Sequence, residues 1–111
     1  MKPFLTIHDP AKASAFYEAE LWRNDTFYTL LIKAEQSGPQ RPALRDGQMT
    51  LTWSELKRRV DMLADDLVSN GLGPGDRASI WMSNRLEAVV AFLACSREGV
   101  ACNPSLHKSY T

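Results

Sequence analysis

The chain has 111 residues, 44% hydrophobic and 23% charged, which suits one globular domain with a modest core and excludes a multidomain build. Thirteen basic residues balance thirteen acidic ones, so no net field points to nucleic acid or to an anionic membrane surface. The longest apolar run, Ala88 to Cys95, is too short to span a bilayer, and the first nine residues lack the apolar stretch of a signal peptide. Two cysteines without close spacing suit a reducing compartment better than a disulfide scaffold, so the expected location is cytoplasmic.

Asp9-Pro10 predicts an N-cap followed by proline at the first helical position, opening a short helix through about Leu21. Phe16, Glu20 and Leu21 make that helix weakly amphipathic, so residues 1–24 read as an N-terminal helical arm, loosely docked. A second helix is predicted from Asp25 or Thr26. Phe27, Leu30, Leu31 and Ala34 give it an apolar face, and Ser37-Gly38-Pro39 stops it. Pro42 to Asp46 and Met49 to Thr52 read as antiparallel strands around Asp46-Gly47, a dipeptide suited to a hairpin turn.

Thr52 and Glu55 then have capping-box spacing, in which each side chain satisfies an orphan amide of the other residue. Leu56, Val60, Leu63, Ala64 and Leu67 form one stripe behind that cap, while Lys57, Arg58, Asp61, Asp65 and Asp66 are expected to face water. Asn70-Gly71 ends this helix, which at 1.5 Å per residue is roughly 25 Å long. Were Leu63 fully buried, Leu63→Ala would cost about 2–5 kcal/mol.

Arg77 to Met82 reads as a buried strand. Asn84 and Glu87 repeat the box spacing at the start of another helix. Leu86, Val89, Val90, Leu93 and Ala94 line its inward face, and Ala91, Phe92 and Cys95 widen the apolar surface. Gly99 stops that helix, Val100 to Asn103 reads as the last strand, and Pro104 ends it because proline cannot donate to a ladder. The fold class is therefore α/β: two helices, a short β-hairpin, then a β-α-β-α-β parallel unit with right-handed crossovers.

Several groups invite a functional reading. Gly71-Leu72-Gly73-Pro74-Gly75-Asp76 has the glycines of a phosphate cradle, but it follows a helix and precedes a strand. A cradle needs the reverse order, with a helix N-terminus facing the phosphate, so the segment reads as a helix stop and turn. Cys95 and Cys102 lack the further sulfur or imidazole ligands that zinc requires and read as small buried hydrophobes. His8 and His107 lie near opposite ends of the chain, and His107 beside Lys108 reads as a solvated loop residue before a base or anion contact. Lys57-Arg58-Arg59 with Asp61, Asp65 and Asp66 reads as a solvated, charge-compensated helix face. Trp53 and Trp81 are expected in the core, Trp22 in core or interface. No nucleophile, base and orienter can be assembled, so no catalytic, cofactor-binding or metal residue is assigned.

Taken together, residues from about Phe27 to Thr111 resemble the N-terminal portion of adenylate-forming (AMP-binding) enzymes: acyl-CoA synthetases, luciferases and peptide-synthetase adenylation domains. The resemblance rests on Arg41-Pro42-Ala43-Leu44, Asp46-Gly47, Leu51-Thr52-Trp53-Ser54-Glu55-Leu56, Gly71 to Arg77, Trp81-Met82-Ser83-Asn84, and Gly99-Val100 with Asn103-Pro104. Trp53 stands where the family usually has tyrosine, Ala78 where it favours valine and Ser83 where proline is common; all three are packing or turn positions. The arm Ala15-Phe16-Tyr17 through Leu21-Trp22-Arg23 looks most like that of acid–CoA ligases.

The resemblance implies that residues 25–111 are part of the large N-terminal domain of such an enzyme and act as scaffold. The intact parent would use ATP and Mg to turn a small carboxylic acid into an acyl-adenylate, then pass the acyl group to coenzyme A. The family's lysine-bearing phosphate loop, its adenylate-binding stretch, its ribose-binding aspartate and its mobile C-terminal domain have no counterpart here. The piece is therefore expected to be inactive and, with unroofed apolar faces, to self-associate. The alternatives are a free-standing non-catalytic α/β interaction module, or another adenylate-forming enzyme serving a carrier protein or a luciferase-like reaction.

Overall fold

The computed structural model describes residues 9–83 and 85–106. Asp9 caps the first helix, α1 (Pro10–Glu18), its carboxylate accepting the Lys12 N–H at 3.1 Å. The helix ends at Glu18, short of the expected Leu21, because Glu20 turns left-handed at φ 60°. The chain then folds back, with the N–H groups of Leu21 and Trp22 donating to the Phe16 carbonyl. Trp22 remains half exposed and packs against Phe16 and Tyr17, with ring centroids 4.9 and 5.7 Å away. Ala13 is the buried residue of α1.

Thr26 and Thr29 cap α2 (Phe27–Ser37) reciprocally, each hydroxyl accepting the other's backbone N–H at 3.1 and 2.8 Å. Of the apolar face read from sequence, Leu31 is buried, whereas Phe27 and Leu30 stay largely open. Phe27 sets its ring edge against Phe92, 5.1 Å between centroids. Strands β1 (Pro42–Asp46) and β2 (Met49–Thr52) pair antiparallel. Asp46 lies opposite Met49, so the turn is Gly47-Gln48, one residue beyond the expected Asp46-Gly47. Gly47, at φ 61°, supplies the left-handed first position that a twisted hairpin requires.

Thr52 ends β2 and caps α3 (Trp53–Ser69), its hydroxyl accepting the Glu55 N–H at 3.1 Å while Glu55 accepts the Thr52 N–H at 3.3 Å. Leu56, Val60 and Ala64 are buried along this helix, and Leu63 and Leu67 are partly buried against them. Full burial of Leu63, the condition on its predicted cost, is therefore not met. They form one core with Leu31, Leu51, Leu86, Val90 and Ala94, against which Trp53 also packs.

Strands β3 (Arg77–Met82) and β4 (Ala101–Leu106) pair parallel around α4 (Leu86–Glu98). The α/β class holds, with one change in topology. The expected first strand of the parallel unit, β2, hydrogen-bonds to β1, leaving two separate two-stranded sheets. That thin second sheet corrects two further expectations. In β3 only Ile80 is buried, and Trp81 is 68% exposed and outside the core. Side chains alternate along a strand, so Trp81 points opposite to Ile80, away from the face that meets α4. The last strand starts at Ala101 and runs through Pro104, which sits opposite Ile80. A strand with one open side tolerates proline where no ladder donor is needed.

The start of α4 also differs. The expected cap, Asn84, lies outside the described residues; the N-cap position is Arg85, whose side chain makes no capping bond. The carboxylate of Asp46, at the end of β1, instead accepts the Leu86 N–H at 3.3 Å. An acidic group there also meets the positive end of the helix dipole. Gly99 closes α4 in the left-handed region at φ 69°.

Candidate functional site: a clamped helix pair and open grooves

The densest polar cluster joins α2, α3 and α4 around Asp61. Tyr28 Oη donates to one carboxylate oxygen of Asp61 at 2.5 Å and Lys57 Nζ to the other at 2.9 Å. Arg97, in the last turn of α4, donates to the Asp61 carbonyl at 3.0 Å and pairs with Asp65 at 3.1 Å and Glu98 at 3.1 Å. Burial alone would raise the Asp61 pKa; hydrogen bonds from Lys57 and Tyr28, with the charges of Lys57 and Arg97, outweigh it and hold the carboxyl below its ordinary 3.8. Burial, and then the Asp61 hydrogen bond, push the Tyr28 hydroxyl above its ordinary 10.0. Asp61 therefore does not belong to a solvated face, as its sequence position suggested. Only Lys57–Asp61, at i,i+4 spacing, was visible in the sequence. Each carboxylate oxygen faces a partner, so the arrangement ties three helices together and offers no proton to a reaction.

The glycine turn is a helix stop. Gly71 and Gly75 adopt φ 84° and 88°, and the Asp76 carboxylate accepts the Gly73 N–H at 2.8 Å. The amide that a phosphate would need already serves the turn's own aspartate, and Gly75 donates to the Gly99 carbonyl at 3.3 Å. Among the described residues, no three His, Cys, Asp or Glu side chains come together as a metal site. The described residues thus show no grouping that fits ATP or Mg, and no chemical step is derived through either. Cys95 is buried and Cys102 half-buried, both free thiols; His8 and His107 lie outside the described residues. Burial, with Cys102 close by, pushes the Cys95 thiol up to about 11. No helix among the described residues is long and apolar enough to cross a membrane.

Beside an opening of about 490 Å³ lined by Leu21, Arg23, Asp25, Phe27, Leu30 and Ser96, two grooves run between elements. One, of about 480 Å³, runs between α3 and α4 with Leu63, Leu86 and Val90 in its floor and Arg58, Arg59, Asp66 and Glu87 at its rim. A second, of about 250 Å³, is lined by apolar side chains of α2, the hairpin, α3 and α4, Trp53 and Leu93 among them. Neither groups a nucleophile with a base.

A hairpin, a capped helix and a β-α-β parallel unit make up the described α/β segment. Residues 31–109 match the AMP-binding enzyme family, and the chain belongs to it. Acetyl-coenzyme A synthetase of Chromobacterium violaceum is 34% identical over 103 residues, covering 88% of this chain and 16% of that protein. Tyrocidine synthase 3 of Brevibacillus parabrevis is 35% identical over 86 residues, covering 78% of this chain and 1% of that protein. The apo structure of Mycobacterium smegmatis MbtA superimposes with a TM-score of 0.81 and 29% identity, over 87% of this chain and 18% of that one. The chain thus spans a small part of the relatives it matches.

Proposed function

We propose that this chain is scaffold of the large N-terminal domain of an ATP-dependent carboxylic acid–CoA ligase, acting in the cytoplasm. The parent would use ATP and Mg to make an acyl-adenylate and then an acyl-CoA thioester. What supports the ligase reading is the match to acetyl-coenzyme A synthetase. At 88% of the chain it leaves too few residues unmatched to omit the whole 1–24 arm, the part whose sequence looks most like acid–CoA ligases. The role of this segment is structural: α3 and α4 pack into one core, and the Asp61 cluster and the Asp46 cap fix the hairpin and α2 against them.

Incubated with ATP, Mg, coenzyme A and a panel of carboxylates, the 111-residue chain should release no pyrophosphate above blank. Turnover would refute the scaffold role. The coding sequence after Thr111 tests the ligase reading. Continuation into a Thr/Ser/Gly-rich phosphate loop and a C-terminal domain supports it, and a stop codon there favours a free-standing interaction module. For a full-length parent, acyl transfer to a carrier-protein phosphopantetheine in place of coenzyme A would move the assignment to the carrier-dependent branch.

A further inference from the structure

On its α3 side the groove between α3 and α4 has a charge pattern that matches its own reverse, and Glu87 of α4 adds one more exposed carboxylate to the lining. Arg58, Met62 and Asp66 follow one another at i, i+4 and i+8 on α3, so they share a face, and Arg59 borders the same face. Met62, at the midpoint of this series, is 63% exposed beside the apolar floor formed by Leu63, Leu86 and Val90. Arg58 and Asp66 lie about 12 Å apart along the axis at 1.5 Å per residue. Turned end for end about Met62, the helix brings a cation to the level of an anion and an anion to the level of a cation. This self-complementarity is what a two-fold interface between identical surfaces requires. The rim charges Arg58, Arg59 and Asp66 are exposed and make no ion pair of 4.0 Å or less among the described residues, so all three can meet a partner. A formal net charge of zero leaves no long-range repulsion between copies.

We propose that this groove is a self-association surface, on which a second copy of the chain docks with its α3 antiparallel to the first. Met62 of each copy enters the groove of the other, and Arg58 and Arg59 of each copy face Asp66 of the other. The proposal stands on the geometry of this face and does not depend on the ligase reading.

The test uses the whole 111-residue chain in analytical ultracentrifugation from about 10 µM to about 1 mM, the range expected for a weak, charge-rimmed contact. The native chain should dimerise reversibly across that range. Arg58→Glu with Arg59→Glu, and separately Asp66→Arg, set like charges opposite one another and should each raise the dissociation constant about tenfold or more. All three residues are exposed, so both variants should keep the native far-UV circular dichroism. Mixed in equal amounts, the two variants should regain native-level association as a heterodimer, because each carries the charge its partner now needs. A folding defect would not be restored by mixing. A native chain that stays monomeric at 1 mM overturns the proposal and leaves the groove to another segment of a longer polypeptide. A dimer indifferent to both reversals, or a mixture that associates no better than its parts, overturns it equally.

Discussion

Val60 has 0% of its surface exposed and sits between Leu56 and Ala64 on the buried stripe of α3, inside the core shared with α4. Val60→Ala removes two methyl groups. At about 0.8 kcal/mol per buried carbon the lost transfer energy is about 1.6 kcal/mol. If the roughly 50 Å³ vacated stays open, a cavity penalty of ~24 cal/mol per Å³ adds about 1.2 kcal/mol. The expected loss is therefore about 2–3 kcal/mol, a large share of the ~5–15 kcal/mol that a domain of this size has in total. Urea unfolding followed by far-UV circular dichroism reads it directly: the midpoint should fall while the slope stays constant. Met62→Ala, on the exposed side of the same helix, should change the unfolding free energy by about 0.5 kcal/mol or less, provided the experiment is run dilute enough to keep the chain monomeric. Equal midpoints for Val60→Ala and the native chain would mean that the inward face of α3 is misplaced.

Asp61→Asn keeps the shape of the cluster but removes the charge that Lys57 and Arg97 face, and should cost about 1–2 kcal/mol in thermal unfolding. Because the folded Asp61 pKa is held below its ordinary value, its contribution is full above pH 3.8 and fades as pH falls through the folded pKa; the acid limb of stability should flatten in Asp61→Asn. The raised Tyr28 pKa works the other way, so its contribution is full below pH 10.0 and is lost as pH rises through the folded value; Tyr28→Phe should flatten the alkaline limb. Asp46→Ala removes the remote cap of α4 and should cost about 0.5–2 kcal/mol, with faster amide exchange in the first turn of α4 as the readout. Raising the Cys95 thiol from 9.0 to about 11 cuts its thiolate share at pH 8 roughly a hundredfold, so iodoacetamide should label Cys95 at least about a hundred times more slowly in the native chain than in urea, as followed by mass spectrometry.

What the sequence disclosed was governed by distance along the chain. The Thr52–Glu55 box, the Leu56–Val60–Ala64 stripe and the helix stop at Gly99 each depend on neighbours within a turn or two, and each is where the residues said it would be. The bonds that join elements were invisible for the complementary reason. Asp61 meets Tyr28 across 33 residues, Asp46 meets Leu86 across 40 and Ser96 meets Tyr28 across 68, and no local pattern announces such pairs. Trp81 was read as core because large aromatics usually are, but one covered face of a two-stranded sheet has room for Ile80 and not for its neighbour. The glycine turn was legible as a helix stop from its order alone; that Asp76 occupies the Gly73 amide was not, because turn geometry had to exist first.

The hydroxyl of Ser96 accepts the backbone N–H of Tyr28 at 3.2 Å, a polar tie from α4 to α2 across 68 residues. A ribosome adding about 5–20 residues per second needs roughly 3–14 s to make the 68 residues that separate them. Within that interval, from the end of α3 at Ser69 to the end of α4 at Glu98, about 1.5–6 s pass in which α2 and α3 exist without α4, and Leu31, Leu56 and Val60 have no lid. Vectorial synthesis thus gives this chain an obligatory sticky stage, during which a chaperone or the sheer crowding of the exit port decides whether the layer closes correctly.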